Sequence, residues 1–193
     1  MALIVQPKPE TETLIMEFTD LLNLIYENDI KALSKAKIEG IDFSITDKYD
    51  KNNLLIAYAG YGYNNKYQPE ELIDFLINCG LDINHKKNKR GSEISALHNA
   101  VSKNNYKIIS YLIEKGAQID IQEGRGNTPL WIAVMNYRGN EEELKIINLL
   151  ILKGASLNIK NFYENSVEDA INTIGGGIDA GHNKKEWDLR HLL

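Results

Sequence analysis

The chain has 193 residues, 43% hydrophobic and 25% charged, with a net charge of −5 at pH 7. That is the profile of a globular chain able to bury roughly 70% of its unfolded surface, and the acidic balance argues against a general nucleic-acid binder. The one cysteine, Cys79, excludes an internal disulfide and a cysteine-only metal site, and fits a reducing compartment.

Residues 1–12 contain Pro7 and Pro9 and are expected to be a loose segment. The apolar run Ala2-Leu3-Ile4-Val5 is too short for a signal-peptide core, and no run of about 18 apolar residues could cross a bilayer. These features point to the cytoplasm and to no membrane partner. Richness in Ile, Asn and Lys suggests an AT-rich, bacterial source.

From residue 13 the chain repeats. Four segments end alike: KIEGIDF at 37–43, NCGLDIN at 78–84, EKGAQID at 114–120 and LKGASLN at 152–158. Each glycine (Gly40, Gly80, Gly116, Gly154) follows an amphipathic run. Ala32, Leu33 and Ala36 form the weakest run. Leu72, Ile73, Leu76 and Ile77 form the second, Ile108, Ile109, Leu112 and Ile113 the third, and Ile146, Ile147, Leu150 and Ile151 the fourth. That spacing puts the apolar side chains on one helical face. Glycine then ends the helix in the left-handed conformation.

A second pattern follows each glycine. It reads NNLLIA at 52–57, SALHNA at 95–100, TPLWIA at 128–133 and, in degenerate form, SVEDAI at 166–171. Leu54, Leu97 and Leu130 align, and so do Ala57, Ala100 and Ala133, small residues expected where two helices approach closely. From Gly40 to Leu54 and from Gly116 to Leu130 is 14 steps, whereas Gly80 to Leu97 is 17. Each unit therefore reads as helix, turn, helix, glycine and an extended finger.

TPLWIA, together with Gly116-Ala117-Gln118-Ile119-Asp120 and Gly154-Ala155, resembles the ankyrin repeat and its TPLH-x-A signature. The resemblance implies an all-α solenoid of stacked helix-turn-helix units with short β-turn fingers. It covers a single domain over 13–193, in units of about 13–46, 47–86, 87–122, 123–160 and 161–193. It also implies a non-catalytic module that binds a folded protein.

The units depart from the pattern between their helices. The second and fourth carry insertions of seven and five residues, and the fifth has the run Gly175-Gly176-Gly177. These read as bulges on the edge away from the fingers. The second-unit bulge carries Tyr61, Tyr63 and Tyr67, which make a second candidate binding edge because tyrosine is enriched at interfaces.

By the resemblance, recognition side chains sit on the fingers: Lys48, Tyr49 and Lys51, then Lys89 and Arg90, then Arg125, then Phe162 and Tyr163. Met135 and Asn136, with Ser102 and Lys103, would line the concave face from the first helices. Phe162 could equally pack on the neighbouring finger. The run His85-Lys86-Lys87-Asn88-Lys89-Arg90 is the one dense basic stretch; segment 85–93 carries +3 and leaves −8 elsewhere. It suits an acidic partner, a phosphate backbone or simply a solvated loop.

His98 holds the family's histidine position, which implies a structural role, and Trp131 replaces that histidine in the fourth unit. His85, His182 and His191 lack metal-ligand spacing, and the triple glycine lacks the strand and the Gly-Lys-Ser/Thr ending of a phosphate loop. No catalytic residue, cofactor or metal site, nucleic-acid partner or small-molecule substrate is expected. Net acidity and small size suggest an immunity protein that covers the basic cleft of a cognate bacterial toxin. A scaffold or secreted effector is the alternative. An enzyme with Asp179 and His182 in the glycine-rich segment is a third, of another class.

Overall fold

The computed structural model describes residues 16–61, 68–87, 92–176 and 189–193. Among these are nine α-helices: α1 (Phe18–Glu27), α2 (Ile30–Ile38), α3 (Leu54–Gly60), α4 (Pro69–Asn78), α5 (Ala96–Ser102), α6 (Tyr106–Glu114), α7 (Pro129–Asn136), α8 (Glu141–Leu152) and α9 (Val167–Gly176). A short 3-10 turn, Arg190–Leu192, packs on α9. The one β feature among the described residues is an isolated bridge between Lys86 and Ser95.

Consecutive helices pair: α1 with α2, α3 with α4, α5 with α6 and α7 with α8. The first helices of the pairs, α1, α3, α5, α7 and α9, pack in succession as one layer, while α4, α6 and α8 form the second. The expected all-α stack is therefore present.

The periodic runs supply the core. Leu72, Ile73 and Leu76 are buried, as are Ile108, Ile109 and Leu112, and Ile146, Ile147 and Leu150. Each contributes about 1.5–3 kcal/mol of transfer free energy. The fourth member of each run, Ile77, Ile113 or Ile151, is half-buried and packs on this core from its edge.

The four repeat glycines all have positive φ, between 84° and 95°. In the third unit the Gly116 N–H reaches Ile113 O at 3.1 Å and the Ala117 N–H reaches Leu112 O at 2.9 Å. Carbonyls left open at the helix end are thereby satisfied. The same pair of bonds recurs after Gly40, Gly80 and Gly154.

Helix starts correct one register. Asn53, Ser95 and Thr128 are equivalent N-caps, accepting the N–H of Ile56, His98 and Trp131. Leu55, and not Leu54, therefore matches Leu97 and Leu130, and Tyr58, and not Ala57, matches Ala100 and Ala133. Burial does not separate the two registers, since Leu54 and Leu55 are both fully buried and Ala57 and Tyr58 are both half-buried; the cap decides. The slip arises because the finger before α3 holds one residue more at its tip than the finger before α7.

A second correction concerns the fourth unit, whose five extra residues do not bulge. Three lengthen α8 to 12 residues against 9 in α6, one lengthens α7 to 8 against 7 in α5, and one widens the turn. A helix absorbs added residues with its backbone bonds made, which a loop cannot do. The triplet Glu141-Glu142-Glu143 occupies the first turn of the lengthened α8, where its charge favours the helix dipole. Asn140 caps that helix through the Glu143 N–H at 2.8 Å. The Glu143 carboxylate takes the Arg138 N–H at 2.6 Å, not that of the cap itself.

Candidate fingertip interface

Each finger is closed by a backbone bond one residue before the next helix cap. Asp47 N–H donates to Asn52 O, Lys87 N–H to Ile94 O, Glu123 N–H to Asn127 O and Asn161 N–H to Asn165 O, all at 2.9–3.0 Å. The spans are five, seven, four and four residues. The span of seven against four accounts for the three-residue insertion between the second and third units.

Polar side chains at the finger bases hold the tips. Asp47 accepts the N–H of Tyr49 at 2.9 Å and those of Asp50 and Asn52 at 2.6 Å. Burial pushes its pKa up, but the N–H bonds outweigh burial and hold the carboxyl below the usual aspartate value. Asn161 Oδ1 accepts the N–H of Tyr163 at 2.9 Å and that of Asn165 at 3.2 Å. Buried Glu123 takes both the Asn127 N–H and its side-chain amide.

Neighbouring fingers are tied into a ladder. Asn84 Oδ1 accepts the Gln118 N–H at 2.8 Å, and Asp120 accepts the Ser156 N–H at 2.9 Å. Lys86 Nζ bonds Glu93 at 2.6 Å and Gln122 O at 3.3 Å. At the tips, Gly124 N–H donates to Ser92 O at 3.0 Å and Phe162 N–H to Arg125 O at 2.9 Å.

His98 is the buried peg of this ladder. Ser95 N–H donates to its Nδ1 at 3.2 Å, so Nδ1 is the acceptor, and Nε2–H faces Asn127 O at 3.2 Å. That partner set assigns the neutral tautomer. Burial pushes its pKa down to about 4. The structural role implied by the family resemblance is thus met by a bond from α5 to the next finger. Trp131, at the equivalent place in α7, is half-buried against the core.

The finger residues singled out from sequence fall on this edge. Lys48, Tyr49 and Lys51 are exposed on the first finger and Arg125 on the third. Phe162 and Tyr163 are exposed on the fourth, with Tyr49, Phe162 and Tyr163 at 79%, 71% and 68%. Phe162 meets both of its expectations: a Cβ on Gly126 would lie 2.7 Å from its ring, yet most of the ring is open. Met135 is exposed at the end of α7, Ser102 and Lys103 at the end of α5, and Asn136 is half-buried. Lys89 and Arg90 lie outside the described residues.

On the opposite edge Tyr61 is half-exposed and stacks on Tyr26 with ring centroids 3.8 Å apart. Tyr63 and Tyr67 lie outside the described residues, as do Asp179 and His182. Cys79 is half-buried at the end of α4, and burial pushes its thiol pKa up, as fits a packing residue.

Sequence reasoning missed Asp47, Asn161, Glu123 and Gln122, which position the tips without presenting themselves. A signal was available: three of the four finger bases carry an Asp, Glu or Asn four or five residues ahead of an asparagine. Among the described residues no helix is long and apolar enough to cross a membrane.

A family model for ankyrin repeats matches residues 56–161 in three copies. A 63-residue stretch is 40% identical to an ankyrin repeat protein of Acanthamoeba polyphaga mimivirus, covering 33% of this chain and 8% of that protein. That relative is viral, so it lends no support to a bacterial source.

Proposed function

This chain belongs to the ankyrin repeat family, whose repeats are protein-protein interaction modules, and on that basis we propose that its fingertip row docks on a folded partner. The observation that carries the reading is the ladder. Tyr49, Arg125, Phe162 and Tyr163 stand open on a backbone already tied by hydrogen bonds, so little ordering entropy is lost on binding. Exposed aromatics and arginine on a stiff base have the character of binding anchors.

Replacing Tyr49, Arg125 and Tyr163 together by alanine should weaken capture of the partner from the source organism's lysate without lowering Tm. Unchanged affinity would refute the fingertip reading and move attention to Tyr61, Tyr63 and Tyr67.

The finer reading is obstruction of a toxin's basic cleft in the cytoplasm, and its support is the net charge of −5. Co-purification with the product of the neighbouring reading frame tests it. A partner that is not a nuclease, protease or other toxin would refute it, and would favour a scaffold or effector role. The module acts by binding and not by turnover. A measured activity lost on changing Asp179 and His182 would reverse that statement.

A further inference from the structure

The charge at the fingertips differs in kind from the charge of the whole molecule. Around the tips four carboxylates are engaged within the fingers. Asp47 is held by three backbone N–H groups, Glu93 by Lys86, Glu123 by Asn127 and Glu164 by Lys160. Asp50 is half-buried. Lys48, Lys51 and Arg125 are exposed and meet no carboxylate among the described residues. Lys48 Nζ lies 5.9 Å over the Tyr49 ring, and Arg125 O holds the Phe162 N–H. Each exposed aromatic site therefore has a neighbouring basic residue that meets no carboxylate among the described residues.

We propose that the fingertip row binds an acidic face of a folded protein, so that the charge presented to the partner is opposite to the net charge of the chain. This rests on the fingertip reading above. It departs from the toxin-cleft reading, which needs a basic partner. Apolar and π contact with Tyr49, Phe162 and Tyr163 would supply anchorage, and Lys48, Lys51 and Arg125 would select carboxylates. Carboxylates in the fingers oppose this less than their number suggests, because Asp47 and Glu123 are held in the turns and Glu93 and Glu164 are paired with Lys86 and Lys160. Lys86 of the second finger is bound to Glu93 and Gln122 and is not one of these cations.

The test uses the full chain, labelled with 15N, and three probes of equal length: poly-L-glutamate, poly-L-lysine and oligouridylate. Poly-L-glutamate at low salt should shift the amides of 48–51, 124–126 and 162–163, and the shifts should fade as salt rises. The triple variant Lys48→Ala/Lys51→Ala/Arg125→Ala should weaken that binding about tenfold. It should keep the wild-type Tm, since none of the three residues holds the ladder by its side chain.

Poly-L-lysine shifting these amides in place of poly-L-glutamate would overturn the proposal. So would an unchanged affinity in the triple variant. Tighter binding of oligouridylate than of poly-L-glutamate would assign the row to single-stranded nucleic acid and overturn it as well. Failure here with partner capture still lost in the Tyr49/Arg125/Tyr163 variant leaves the docking reading standing. Intact capture in that variant fails the docking reading itself.

Discussion

Gly126→Ala tests the ladder at its tightest point. Gly126 has φ +80°, and a Cβ there would lie 2.7 Å from the Phe162 ring, 2.8 Å from the Phe162 backbone nitrogen and 3.0 Å from the Asn161 Cα. The ring could turn aside, but the backbone atoms belong to the next finger and cannot move without breaking the bond from Phe162 N–H to Arg125 O. Gly154→Ala is the matched control, with φ +95° and nothing within 4 Å. Both substitutions place an L-residue in the left-handed region, at roughly 1–2 kcal/mol. Both also remove the same chain entropy from the unfolded state, so that contribution cancels in the comparison. The excess for Gly126→Ala is the lost bond, about 0.5–1.5 kcal/mol, plus overpacking, about 1–3 kcal/mol. A 2 kcal/mol excess would lower Tm by about 4–8 °C relative to Gly154→Ala, at the 2–4 °C per kcal/mol expected for this size. Urea denaturation with unchanged m-value should give the same ranking. Equal destabilisation of the two variants would refute the claim that the third and fourth fingers are locked together.

Three further outcomes follow from named contacts. His98 stays neutral in the fold with a pKa of about 4, below its unfolded value of 6.5, so the unfolded state binds the proton first. Its stabilisation is complete above pH 6.5 and is lost as pH falls toward 4, by about 2 kcal/mol at pH 5. His98→Gln should flatten that part of the stability-pH curve, and an unchanged slope would contradict the buried tautomer. Asp47→Ala removes the acceptor of three N–H groups, so the amides of Tyr49, Asp50 and Asn52 should exchange faster, at about 1–3 kcal/mol of stability. Because the Asp47 pKa is lowered on folding, its contribution is present above the unfolded value and lost as pH falls through the folded one. Ala133 is buried between α7 and its neighbours, so Ala133→Trp should cost about 1–3 kcal/mol or more by overpacking, and wild-type melting would disprove the register.

Much of the fold was legible because repetition averages out local ambiguity. The spacing of Ile108, Ile109, Leu112 and Ile113 recurs around 73 and 147, and the glycine that follows each run marks the helix stop. Registers set by a single residue were less secure. Leu54 and Leu55 are both apolar, so only the Asn53 cap shows which of them matches Leu97. The five extra residues of the fourth unit could equally have been loop, because Glu141, Glu142 and Glu143 are as suited to a solvated turn as to the start of a helix.

The candidate site divides in the same way. Local order alone determined the helix runs, their glycine stops, the position of the fingers and the presence of Lys48, Tyr49, Arg125, Phe162 and Tyr163 on them. Only the tertiary structure decided which charges are free. A count of Asp, Glu, Lys and Arg makes this chain acidic, but whether Asp47 or Glu93 faces a partner depends on backbone N–H groups and lysines brought to it by chain closure. Those contacts join residues 2 to 7 positions apart, from Asp47 with Tyr49 to Lys86 with Glu93, and form only when the finger closes on itself. Side-chain identity is a property of the chain, whereas hydrogen-bond satisfaction is a property of the packed array.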